Sequence, residues 1–93
     1  MMSLVVEYIL SELSVNPTRV KILELTSQRQ LSSSAILSEL KKTGYAGNKN
    51  TLYTHIEWMS DSGLVRKTDG SIAVTGSGIE VLKKYRERTR KDS

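Results

Sequence analysis

Apolar positions along this chain recur mostly at helical spacing, and the spacing breaks at a few places. Val6, Ile9, Leu10 and Leu13, widened by Val5 and Tyr8, form one stripe and predict an amphipathic helix over Leu4 to Leu13. Asn16-Pro17 then supplies a helix start, a capping side chain followed by proline at the first helical position. Val20, Ile22, Leu23 and Leu25 carry the second apolar face to about Thr26. After a polar link, Leu31 is placed to form a short strand bridge, and Ser32 or Ser33 caps a third helix faced by Ala35, Ile36, Leu37 and Leu40. Gly44 is its expected stop.

The period changes once more between Asn48 and Val74. Leu52, Ile56 and Met59 recur at i, i+4 and i+7, the buried stripe of a helix over about Asn50–Ser62 that Asn48 or Asn50 caps and Gly63 ends. Gly47, in the turn before it, lets the backbone take positive φ. Two short runs, Leu64-Val65-Arg66-Lys67 and Ser71-Ile72-Ala73-Val74, flank Asp69-Gly70, the strongest short-range hairpin signal. Thr75-Gly76-Ser77-Gly78 turns into a last helix faced by Ile79, Val81, Leu82 and Tyr85, and the charged residues beyond are expected to fray into solvent. The predicted order is helix, helix, short strand, helix, helix, hairpin, helix. This is a mainly α fold with a small β-hairpin wing, a winged helix-turn-helix with an additional N-terminal helix and a C-terminal helix. It is read as one domain over 1–93: the N-terminal helix (1–14), the winged-helix core (16–75), and the C-terminal helix with its basic tail (76–93).

Composition narrows the chemistry. The chain has no cysteine and one histidine, His55, which removes disulfides, thiolate metal sites, cysteine nucleophiles and a histidine cluster together. With no carboxylate pair at acid–base spacing and no phosphate-loop glycines, an enzyme is not expected. No cofactor and no metal are expected either. The amino terminus lacks a basic stretch, Glu7 interrupts its apolar run, and it is too short and polar to span a bilayer, so a cytoplasmic protein without a membrane partner is expected. The formal charge is +4, unevenly spread. Up to Leu40 there are three basic and four acidic residues; from Lys41 onward there are eleven and six. Positive charge therefore gathers in the half that holds the helix and hairpin, a placement that favours a polyanionic partner, although charge alone fits a solvated basic face equally well.

Four phrases resemble the small winged-helix transcription regulators of the MarR, ArsR and PadR type. Asn16-Pro17-Thr18-Arg19-Val20-Lys21-Ile22-Leu23 is similar to the opening of their first core helix, and Leu31 through Leu37 to the strand and second-helix entry. Thr51-Leu52-Tyr53 through Met59, with Ser62-Gly63-Leu64-Val65, resembles the recognition helix and its exit. Ala73-Val74-Thr75-Gly76-Ser77-Gly78 resembles the junction of wing and last helix. The resemblance implies double-stranded DNA as partner, with the Asn50–Ser62 helix in the major groove and a wing over about Leu64–Thr75 on the backbone or minor groove.

On that reading Asn50 is placed for base readout, since an amide bonds adenine N6 and N7 together. Thr51, Tyr53 and Thr54 would contact phosphate or base edges, and Lys41, Lys42, Lys49, Arg66 and Lys67 would hold the flanking backbone. Each has a plainer role: Asn50 as a helix cap, Tyr53 in packing, the lysines as solvated charge. His55 is expected partly buried and Trp58 at the edge of the core. Glu57 and Asp61 depart from the pattern by putting acid near the DNA face. Val6, Ile9, Leu10 and Leu13, with Leu82 and Tyr85, offer more apolar surface than one small core needs, which predicts a homodimer through the terminal helices. The rival reading is a winged-helix protein-interaction module without DNA contact.

Overall fold

A computed structural model describes residues 4–45 and 48–91. The elements run α1 (Leu4–Ser14), α2 (Pro17–Gln28), β1 (Leu31–Ser32), α3 (Ser33–Lys42), α4 (Lys49–Asp61), β2 (Val65–Thr68), β3 (Ser71–Val74) and α5 (Gly76–Lys91). The sheet is antiparallel in the order β1-β3-β2. Five helices and a small three-stranded sheet make a winged helix-turn-helix, and the helix expected from Asn50 to Ser62 begins and ends one residue earlier.

Sequence chemistry explains the boundaries. Ser32 caps α3 by accepting from the Ala35 N–H at 3.1 Å. At the end of α3 the Gly44 and Tyr45 amides bond back to Lys41 and Leu40. After α4 the Gly63 and Leu64 amides likewise bond back to Ser60 and Met59 at 3.0 and 2.8 Å. This stop requires a left-handed residue, and Gly63 takes φ of 77°. It delivers Leu64, fully buried, straight into the core. Asp69 and Gly70 both take positive φ, the two-residue turn whose twist matches the strands it joins, so that Val65 faces Val74 and Thr68 faces Ser71.

Leu10, Leu13, Ile22, Leu23, Ile36, Met59, Leu64 and Ile72 are almost wholly removed from water and draw every helix but α5 into one core, which Val81 and Leu82 of α5 complete. Four expectations need correction. The Asn16 side chain does not cap α2; its amide donates back to the Glu12 carbonyl of α1 at 3.1 Å. Ile79 is half exposed rather than part of the buried face of α5. The basic tail does not fray after Tyr85 but stays helical to Lys91, and along it Arg86 reaches Glu24 at 3.6 Å and Arg88 reaches Glu7 at 2.6 Å. Finally, Ile9, Leu10, Leu13 and Leu82, expected at a dimer interface, are buried inside the protomer's own core, with Val6 and Tyr85 packed half-buried against it. Packing of α1 and α5 against each other removes that surface. Gly47 lies outside the described residues.

Candidate nucleic-acid interface

The face of α4 turned from the core carries Asn50, Tyr53, Thr54, Glu57 and Asp61, all exposed, opposite the buried Leu52, Ile56 and Met59. Asn48, just ahead of the helix, decides what its amino end can offer. The Asn48 Oδ1 accepts from the Thr51 N–H at 2.9 Å and from the Thr51 hydroxyl at 3.2 Å. Capping therefore falls to Asn48, and the amide of Asn50 is left exposed with no partner among the described residues. The Thr54 hydroxyl donates to the Asn50 carbonyl at 3.0 Å. Both threonine protons are thus engaged within the helix, and the two hydroxyls present lone pairs, not donors, to anything outside. Tyr53 stands free of the core, its ring nearly half exposed.

Cations bracket the turn that leads into α4. Lys41 and Lys42 end α3 and Lys49 begins α4, all three exposed, with Lys42 also 3.5 Å from Glu39. The wing cations do not act as one pair. Along β2 successive side chains alternate, so Lys67 shares a face with the buried Val65 while Arg66 points to the other. Lys67 consequently meets α4, where its ammonium donates to Glu57 Oε1. Arg66 is exposed and has no partner among the described residues.

Behind α4 lies a residue that the sequence did not single out for the site. The Arg19 guanidinium of α2 lies 4.2 Å from the centroid of the Trp58 ring. Its Nε donates to His55 Nδ1 at 2.9 Å, and one terminal nitrogen lies 3.7 Å from Glu12 of α1. That distance is an ion pair but not a hydrogen bond, and the same nitrogen is buried without any other partner. One arginine thereby links α1 and α2 to one turn of α4, and its stacking on Trp58 contributes about 0.5–2 kcal/mol. The bond to Nδ1 needs a neutral imidazole. His55 is accordingly held below its ordinary value of 6.5, first by burial and then by the positive charge of Arg19. His55 and Trp58 take the packing roles expected of them. In the sequence Arg19 is marked by its place in the Asn16–Leu23 phrase.

Val5, Tyr8 and Val15 are exposed at and just beyond α1, on the side away from the core. Among the described residues no group of three or more His, Cys, Asp or Glu is placed to hold a metal ion. No helix among them is long and apolar enough to cross a membrane. Residues 15–68, from just before α2 to the end of β2, match the family model of a helix-turn-helix domain. No curated protein matches the chain.

Proposed function

The chain belongs to the helix-turn-helix domain family, and from that premise we propose that it binds double-stranded DNA as a sequence-specific transcriptional regulator of the MarR, ArsR and PadR type, working as a cytoplasmic homodimer. The observation that carries this reading is the amino end of α4. Its cap is supplied by Asn48, so the Asn50 amide is free to bond an adenine edge in the major groove. The end of a helix also favours phosphate through its unpaired N–H groups and partial positive charge. In sequence Lys41 and Lys42 close α3 and Lys49 opens α4, on either side of the turn into it, and Arg66 adds positive charge on the wing.

A dimer on this scheme uses the surface that α1 leaves open. Val5, Tyr8 and Val15 take the place of the buried residues expected there, and their pairing across a two-fold axis would set two α4 helices on successive half-sites.

The rival, a protein-interaction module, draws on the acid of Glu57 and Asp61 and on the same exposed apolar residues. Titration of random duplex DNA across a salt series separates the two. A DNA-binding protein loses affinity linearly in log salt, at a slope of about −0.9 per phosphate neutralised, and Arg66→Ala flattens that slope by about one contact. Asn50→Ala leaves the slope and costs discrimination in site selection. Absence of binding by the wild type at low salt refutes the regulator and leaves the interaction module.

A further inference from the structure

On α4, Glu57 lies seven residues after Asn50 and so almost directly behind it on the exposed face, roughly 10 Å along the axis. An acid at the centre of a DNA-facing surface would repel phosphate if it stood alone. It does not stand alone. The pleat of β2 turns Lys67 toward α4, and the ammonium bonds Glu57 Oε1, bringing the pair to zero net charge. No bond is made to Oε2 among the described residues. What faces outward is a neutralised carboxylate with a free acceptor oxygen.

Such a group distinguishes among base edges. In the major groove guanine offers only acceptors, thymine an acceptor and a methyl, and adenine places an acceptor beside its amino donor. Cytosine alone presents its N4 amino group without an acceptor of its own next to it, and a carboxylate accepts from that group. Resting on the DNA-binding reading, we propose that Glu57 is a specificity-determining residue that reads a cytosine amino group in the major groove, with Lys67 as the positioning residue that neutralises and aims it. The wing then acts on sequence choice through α4 rather than only on the backbone. Asn50 and Glu57, two turns apart on α4, read different base pairs.

The test is site selection from a randomised duplex, with affinity for random duplex measured in parallel across the salt series, for wild type, Glu57→Ala, Lys67→Met and Lys67→Arg. Glu57→Ala should lower the preference for C·G at one position by about fivefold or more while preferences at other positions persist. Because it frees Lys67 for phosphate, the same variant should bind random duplex more tightly, with a slope steeper by about 0.9. Lys67→Met should weaken the same single preference, and Lys67→Arg should restore it. Tighter binding by Glu57→Ala with every positional preference intact overturns the proposal, since Glu57 would then only restrain Lys67. Unchanged affinity and unchanged preferences overturn it too, and in both cases the DNA-binding reading survives. No binding by wild type at low salt removes both together.

Discussion

Gly78 closes the seam between the wing and the last helix, and an alanine there gives the sharpest test of how that seam is built. Thr75 sits at the centre. Its N–H donates to the Leu64 carbonyl at 3.0 Å, and its hydroxyl reaches the Gly63 carbonyl at 2.6 Å and accepts from the Gly78 N–H at 3.0 Å. This draws the first turn of α5 so close to the exit of α4 that a Cβ on Gly78 would lie 2.2 Å from the Leu64 oxygen and 2.7 Å from Val74 Cγ2. The oxygen belongs to the backbone and is already bonded, and the valine is stiff at χ1, so neither turns aside. Overpacking of this kind costs about 3 kcal/mol at the upper end of its usual range. Loss of the cap bond adds about 1 kcal/mol, and alanine's better helix propensity returns about 1 kcal/mol. The net loss of about 3 kcal/mol is a large part of the ~5–15 kcal/mol of a typical domain, and corresponds to a fall in Tm of ~12 °C or more. Gly76 provides the control: nothing lies within 4 Å of its would-be Cβ, so Gly76→Ala should be neutral or stabilising by up to ~1 kcal/mol. Urea denaturation of the two variants reads the difference directly. Equal midpoints would refute the seam as described.

The remaining predictions concern pH and assembly. The folded protein holds His55 neutral, below its ordinary 6.5, through burial and then Arg19, while the unfolded chain takes up the proton at about 6.5. That stability is therefore present above 6.5 and lost as pH falls from 6.5 toward the lowered folded value. Urea midpoints should fall across that window for wild type and stay flatter for His55→Gln, whose amide oxygen can still accept from Arg19; parallel profiles would refute the role of His55. Light scattering at micromolar concentration should give a dimer for the wild type and a monomer with unchanged helix content for Val5→Glu/Tyr8→Glu; a monomeric wild type would refute the dimer.

Most of the fold was legible because its signals are local. Ser32, Gly44, Gly63 and Asp69-Gly70 each fix the backbone within a few residues of themselves, and each marks the boundary it was expected to mark. The failures have the opposite character. Asn16 faced two helix ends at once, and nothing in its neighbourhood says that its amide turns back to Glu12. The helicity of α5 beyond Tyr85 accompanies a bond from Arg88 to Glu7, 81 residues away. Periodicity identified the apolar face of α1 but not its occupant; α5 and α2 cover it within the protomer, which is why Ile9, Leu10, Leu13 and Leu82 are not available to a partner.

The same distinction runs through the candidate site. Exposure of Asn50, Tyr53, Thr54, Glu57 and Asp61 follows from the Leu52, Ile56, Met59 stripe alone, because a helix with one buried face exposes the other. Which of those groups is free follows from bonds that composition cannot assign. The choice between Asn48 and Asn50 as cap settles whether an amide is available to a base, and the structure gives the cap to Asn48. Alternation along β2 sends Arg66 and Lys67 apart, so two adjacent cations that read as one basic cluster have different neighbours. Arg19 is the extreme case. By charge it counts toward a basic surface, yet its guanidinium is stacked on Trp58 and bonded to His55 inside the scaffold. A count of cations overstates what this chain can offer to phosphate; subtracting those already committed leaves Lys41, Lys49 and Arg66 as the unpaired cations flanking α4 and on the wing. On the proposed DNA-binding reading, so modest a phosphate grip would make base contacts from α4 carry a larger share of the sequence choice.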